Sequence, residues 1–201
     1  MRTILSIVIK ELEKQIDSSQ NLIKKVQASG LPRIQIEIVA ELAFLRIFIA
    51  WENFLEDSFT KYLVGAESPS GYSPQRFVNP PNMQIASKLI AAHREYAKWN
   101  SASEVIARSE IYFRHGEPYK NVLHGVIKDI NDMNTIRNRI AHRSTISEKK
   151  FNEHVRKEFG HGKRGMSPGR FLLTQKNIMQ PTTFLDYYVD VIKAASSMLV
   201  P

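Results

Sequence analysis

The chain contains no cysteine. That excludes a disulfide framework and any thiolate-held metal site, and it suits a reducing compartment, so a cytoplasmic location is expected. Long uncharged apolar runs are missing too. The most apolar window, 34–51, is interrupted by Glu37, Glu41 and Arg46. A membrane span rarely tolerates three such charges, so the window reads as a buried helix and no membrane partner is expected. The N-terminal apolar stretch leads straight into Glu11 and Glu13 with no small-residue cleavage site, which argues against a signal peptide. No stretch alternates at period two and no internal repeat is visible. The glycine-rich segment near residue 160 lacks the Gly-Lys-Ser/Thr ending of a phosphate-binding loop, and no Gly-x-Ser-x-Gly nucleophile motif occurs. The six histidines are scattered without metal-ligand spacing; no metal and no cofactor are expected.

What is present is helical patterning and positive charge. A 201-residue chain with 43% hydrophobic residues is long enough for one domain with a sizeable core. Leu5, Val8, Ile9, Leu12, Ile16, Ile23 and Val26 fall on one stripe, predicting a helix from Thr3 to about Ala28. Gly30 and Pro32 form a stop and restart. The next helix, Arg33 to about Val64, is apolar nearly all round between Ile34 and Phe59, which predicts burial on several sides. Residues 65–81 are rich in Ser, Gly and Pro and read as a loop. Asn82 is placed to cap a helix through about Lys98 with Ile85, Leu89, Ile90 and Tyr96 inward, and Ser103 to cap another to about Phe113. Further helices are expected from Pro118 to His142, from Glu148 to Phe159 under a Ser147 cap, and from Thr182 or Thr183 to Leu199. The predicted class is all-α: a single-domain, elaborated up-and-down helical bundle over residues 1–201.

The net charge is +8 and the pI near 9.7. Such a balance favours polyanions: RNA, DNA, an anionic membrane or an acidic partner. From Arg156 to Lys176 there are six basic residues and one acid, on a glycine-rich loop at 160–170. That density suits phosphate contacts and makes Lys163, Arg164 and Arg170 candidate RNA-binding residues.

The chemistry concentrates at the end of the helix that closes on His142. Val122, Val126, Ile127, Ile130, Met133, Ile136 and Ile140 mark its buried face, and its polar end carries Arg137, Asn138, Arg139 and His142. Arginine offers a fork of donors to phosphate oxygens, and histidine exchanges a proton near neutral pH. Asn138 and His142 lie on one helical line, whereas Arg137 and His142 are about 140° apart on an ideal helix, so only a loosened last turn or the reach of Arg137 brings them to one ligand.

The six residues Arg137-Asn138-Arg139-Ile140-Ala141-His142 resemble the Arg-x4–6-His signature of the HEPN superfamily of small all-helical proteins of prokaryotic defence and toxin systems, in which Asn often follows the Arg and a small residue often precedes the His. Arg156 to His161 matches the bare pattern as well, but Gly160 should end its helix there. The resemblance implies a metal-independent endoribonuclease with a composite site at a dimer interface. It assigns Arg137 to phosphate binding, Asn138 to shaping the site and His142 to acid/base work, with Arg139 and Arg143 adding positive field. The implied partners are RNA, a second copy of the chain, and an antitoxin or regulatory protein. Arg143-Ser144 stands where members paired with a nucleotidyltransferase often carry His-x-Tyr, which puts control by adenylylation at that Tyr in question. The alternatives are a non-catalytic HEPN module that binds RNA or a protein in a defence or stress system and, ranked last, a DNA-binding bundle.

Overall fold

The computed structural model describes residues 4–92, 97–176 and 181–201. Eight α-helices occur among them: α1 (Ile4–Gln27), α2 (Arg33–Leu63), α3 (Met83–Ala91), α4 (Ala102–Tyr112), α5 (Tyr119–Ala141), α6 (Thr145–Phe159), α7 (Pro168–Leu173) and α8 (Phe184–Leu199), with a 3-10 turn at Arg114–Gly116. No strand occurs among the described residues, only isolated bridges. The protein is an all-α helical bundle, and no described helix is long and apolar enough to cross a membrane.

The bundle is built on α2. Its Phe44, Ile47, Phe48, Trp51, Phe54, Leu55 and Phe59 are all buried. α1 lies along it, laying down Leu5, Val8, Leu12, Ile16 and Ile23, while α5, α7 and α8 pack on its other flanks. Trp51 and Phe54 stack on each other inside the core, so neither is a platform for an incoming base.

Burial of α2 on several sides holds for three flanks and fails on the fourth. Ile34, Ile38, Leu42 and Ile49 remain 47% to 63% exposed. At 100° per residue these positions fall within an arc of about 80°, one continuous stripe that no described element covers.

The helix ends differ from the sequence reading in small, explicable ways. Ser101 rather than Ser103 caps α4, and Ser144 rather than Ser147 caps α6. In both cases two nearby serines satisfy the same rule, and the one that accepts from the amide three residues on wins. Asn82 and Thr183 cap as expected, and Gly160 ends α6 in the left-handed conformation. α3 stops at Ala91 rather than near Lys98, and it turns Ala86 and Ile90 inward while Ile85 and Leu89 face out. Expected burial of Tyr96 lies outside the described residues.

The loop expected at 160–170 contains the start of a helix. Ser167 accepts from the Arg170 amide, Pro168 sits in the first turn, and Phe171 is fully buried, stacked on Phe184 with ring centroids 4.2 Å apart. α7 approaches α2 closely enough that a Cβ on Gly169 would lie 2.1 Å from the Glu37 carbonyl oxygen.

Candidate functional site

Helix α5 ends where the motif does. The His142 amide still donates to the Asn138 carbonyl at 2.9 Å, but His142 itself is extended (φ −130°, ψ 115°). The chain then turns at once into α6. Ser147 Oγ donates to the His142 carbonyl, and Ser144 Oγ caps the Ser147 amide at 3.2 Å. His142 therefore leaves the helical screw, so the 140° separation from Arg137 that an ideal helix imposes no longer applies.

The upstream residues are tied together along the helix surface. Arg137 Nη1 donates to Asn138 Oδ1 at 3.3 Å, and Asn138 Nδ2 donates to Asn134 Oδ1 at 3.3 Å. Asn134 is the member of this chain that the sequence did not single out, although its i, i+4 spacing to Asn138 is a readable signal. Among the described residues no hydrogen bond or ion pair engages the exposed His142 imidazole.

Two cavities flank this helix end and divide the motif between them. Arg137 lines a cavity of about 270 Å³ with Glu52, Asn53, Glu56, Trp99 and Asn100. Burial pushes the Glu52 carboxyl above its ordinary range, with the Arg137 charge opposing, and burial together with Asp57 pushes Glu56 up. Arg139 faces the other way. It lines a cleft of about 640 Å³ with Arg156, Lys163 and Arg164 and a single acid, Glu148, to which Arg139 is paired at 3.6 Å. Two of the candidate loop residues, Lys163 and Arg164, thus share a basic cleft with Arg139. Arg156, counted in the sequence only as part of the local charge, joins them because it sits one helical turn before the loop. Lys163 Nζ rests 3.5 Å from the centre of the Phe159 ring.

Arg170 is engaged elsewhere. Its Nε donates to Glu37 Oε1 at 3.0 Å, and Nη1 donates to the Gly165 carbonyl at 3.4 Å. Glu37 is 3% exposed and also accepts from Ser167 Oγ at 2.6 Å and from Arg33 Nε at 3.1 Å. Burial alone would raise its pKa; the donors from Ser167 and Arg170 and the charges of Arg170 and Arg33 outweigh it and hold the carboxyl below its ordinary range. Glu41, one turn on, accepts from the Gly169 amide at 2.9 Å. Burial raises the pKa of that carboxyl, with the Gly169 amide and the charges of Arg143 and Arg139 opposing. Arg170, Glu37 and Glu41 brace the end of the basic loop against α2, so the loop leaves a fixed base. No local pattern marks this role for the two glutamates, which in the sequence read only as charges that rule out a membrane span.

Comparison with protein-family models, with curated proteins and with solved structures found no match to this chain.

Proposed function

We propose that the chain is a metal-independent, toxin-like or defence-related endoribonuclease of HEPN type that works as a two-fold dimer. The observation that carries the reading is the end of α5. There Arg137 and Asn138 are held by hydrogen bonds, His142 is exposed and its imidazole has no partner among the described residues, and Arg139, three residues before it, lines a cleft with Arg156, Lys163 and Arg164. In RNA cleavage of this type the ribose 2′-OH attacks the neighbouring phosphate, giving a cyclic phosphate and a free 5′-OH. The step needs a base, an acid and positive charge on the developing phosphorane. Arg137 supplies charge to the phosphate, and His142 moves the proton. One histidine per chain does not easily serve as both acid and base; an isologous dimer brings a second His142 to the same site.

The uncovered stripe on α2 is the surface we assign to the second copy. Glu52, whose carboxyl feels Arg137, lies on the helical line of Ile34 at one edge of the stripe, and Glu41, which feels Arg143 and Arg139, lies about 20° beyond that edge. A partner seated on the stripe would therefore approach the end of α5.

One observation favours the second reading, a non-catalytic module that binds RNA or a protein. Arg137 and the basic cleft open onto different cavities. Cleavage of a mixed RNA pool in EDTA by wild type and His142→Ala separates the two. Cleavage by wild type alone, leaving cyclic-phosphate ends, supports the ribonuclease. Binding of the pool without cleavage by either protein supports the module. Equal cleavage by both overturns the role of His142.

A further inference from the structure

About 7.5 Å along α5 from Arg137, at 1.5 Å per residue, three metal-capable side chains converge, two of which stand 22 and 26 positions after the first. Asp132 on α5 meets His154 and Glu158 on α6, with their ligand atoms all within 4.8 Å of one another. His154 and Glu158 are four residues apart, so one face of α6 presents both, and Asp132 closes the set from the neighbouring helix.

The histidine has an unfilled nitrogen. His154 is only 6% exposed, packed against the Phe171 ring with centroids 5.0 Å apart. Its Nε2 faces the Tyr188 hydroxyl at 3.5 Å. Nδ1 is fully buried and has no hydrogen-bond partner, although Asp132 Oδ1 lies 3.4 Å away. A buried ring nitrogen 3.4 Å from a carboxylate oxygen yet without a formed hydrogen bond is uncommon in a folded protein and leaves a lone pair or proton to be satisfied.

We propose that Asp132, His154 and Glu158 bind one divalent transition-metal ion, zinc in preference to manganese, that joins α5 to α6. One imidazole and two carboxylates give zinc three protein ligands and leave a fourth position for water. An imidazole ligand disfavours magnesium and calcium, which prefer oxygen donors.

The surroundings fit an exchangeable ion. Glu158 is paired with Lys176 at 3.4 Å and Lys128 at 3.8 Å. A dication would displace them. Lys176 has somewhere to go, because its Nζ already lies 4.1 Å from the centre of the Tyr187 ring and 4.8 Å from that of Phe184. Tyr187 donates to Asp129 Oδ1 at 2.8 Å, which holds that third carboxylate away from the site. Glu158 lies two residues before Gly160, where the basic loop leaves α6. A metal here would therefore steady the base of that loop. The role is structural and independent of the cleavage chemistry proposed above.

The test is titration calorimetry on the full chain after chelation and dialysis, with ZnCl2, MnCl2 and MgCl2 at neutral pH. One zinc per chain is expected, bound more tightly than manganese, with magnesium weakest. Asp132→Asn and Glu158→Gln, which preserve side-chain volume, should each weaken zinc by at least about tenfold. Lys176→Gln should tighten it, since the competing ammonium is gone; weaker zinc binding in that variant would count against the site. His161→Ala, in the neighbouring loop, should change nothing. No saturable zinc binding below about 100 μM, or binding indifferent to both amide variants, overturns the proposal. A variant-free readout guards against misfolding: zinc should shift the His154 Nδ1 resonance in ¹⁵N-histidine-labelled wild type, and an unmoved resonance at saturating zinc refutes the site.

Discussion

Replacing Gly169 with alanine tests whether α7 is a docked element or merely an ordered loop. The new Cβ would lie 2.1 Å from the Glu37 carbonyl oxygen, where ordinary contact begins at 3.4 Å, so α7 must retreat by about 1.3 Å. The obstacle is backbone of the second turn of α2 and has no rotamer with which to yield. Overpacking of this kind costs about 1–3 kcal/mol. The retreat also pulls the Gly169 amide off Glu41, leaving a partly buried carboxylate short of a donor, for about 1–3 kcal/mol more. Alanine's better helix propensity returns about 1 kcal/mol. The net loss is about 3 kcal/mol, which for a chain of this size lowers Tm by about 6–12 °C. Thermal unfolding followed by circular dichroism reads it directly. Gly162→Ala is the control, because nothing lies within 4 Å of its Cβ position. A Tm for Gly169→Ala within about 2 °C of wild type, which is under 1 kcal/mol for a chain this size, would refute the close docking of α7 on α2.

Other expected outcomes follow from the same geometry. Gly125→Ala, at an exposed mid-helix position in α5 with open space around it, should stabilise the protein by about 1 kcal/mol in a denaturant titration, since alanine is the better helix former. Glu52→Gln should raise Tm at neutral pH and leave it unchanged near pH 3. The folded carboxyl titrates above the unfolded value of 4.5, so its ionised form is penalised in the fold at higher pH, and the penalty vanishes once both states are protonated. Leu42→Lys should shift the chain to monomer in light scattering after size-exclusion chromatography, and abolish cleavage if the site is composite. A monomeric wild type would remove the α2 stripe as the dimer surface.

The contrast between α2 and the loop at 160–170 shows where sequence reading stops. Phe44, Phe48, Trp51 and Phe59 were legible as core because their spacing repeats the helical turn. The exposed row Ile34, Ile38, Leu42 and Ile49 has the same composition and period, so no local rule separates a face that α1 covers from one left open. α7 was hidden for the opposite reason. A six-residue helix is too short to show a period, and its stability comes from Phe171 and from Glu37 and Glu41, which are about 130 positions away in the chain. The candidate site was legible as six residues on one helix end, but not as two cavities, because Arg137 and Arg139 are neighbours in sequence and point to opposite sides of α5.

The features legible along the chain are local: the all-α class, most helix boundaries within a few residues, the caps at Asn82 and Thr183, and the concentration of Arg, Asn and His at the end of α5. These follow from periodicity and from hydrogen bonds that close within four residues, and such information is written along the chain. Packing between helices sets which apolar face stays uncovered, brings Arg139 into one cleft with Lys163 and Arg164, engages Arg170 on Glu37, and joins Asp132 to His154 and Glu158. Each of these depends on how one helix rotates about its axis against another. That rotation is set by the packing of the whole core, and no short window of sequence contains it.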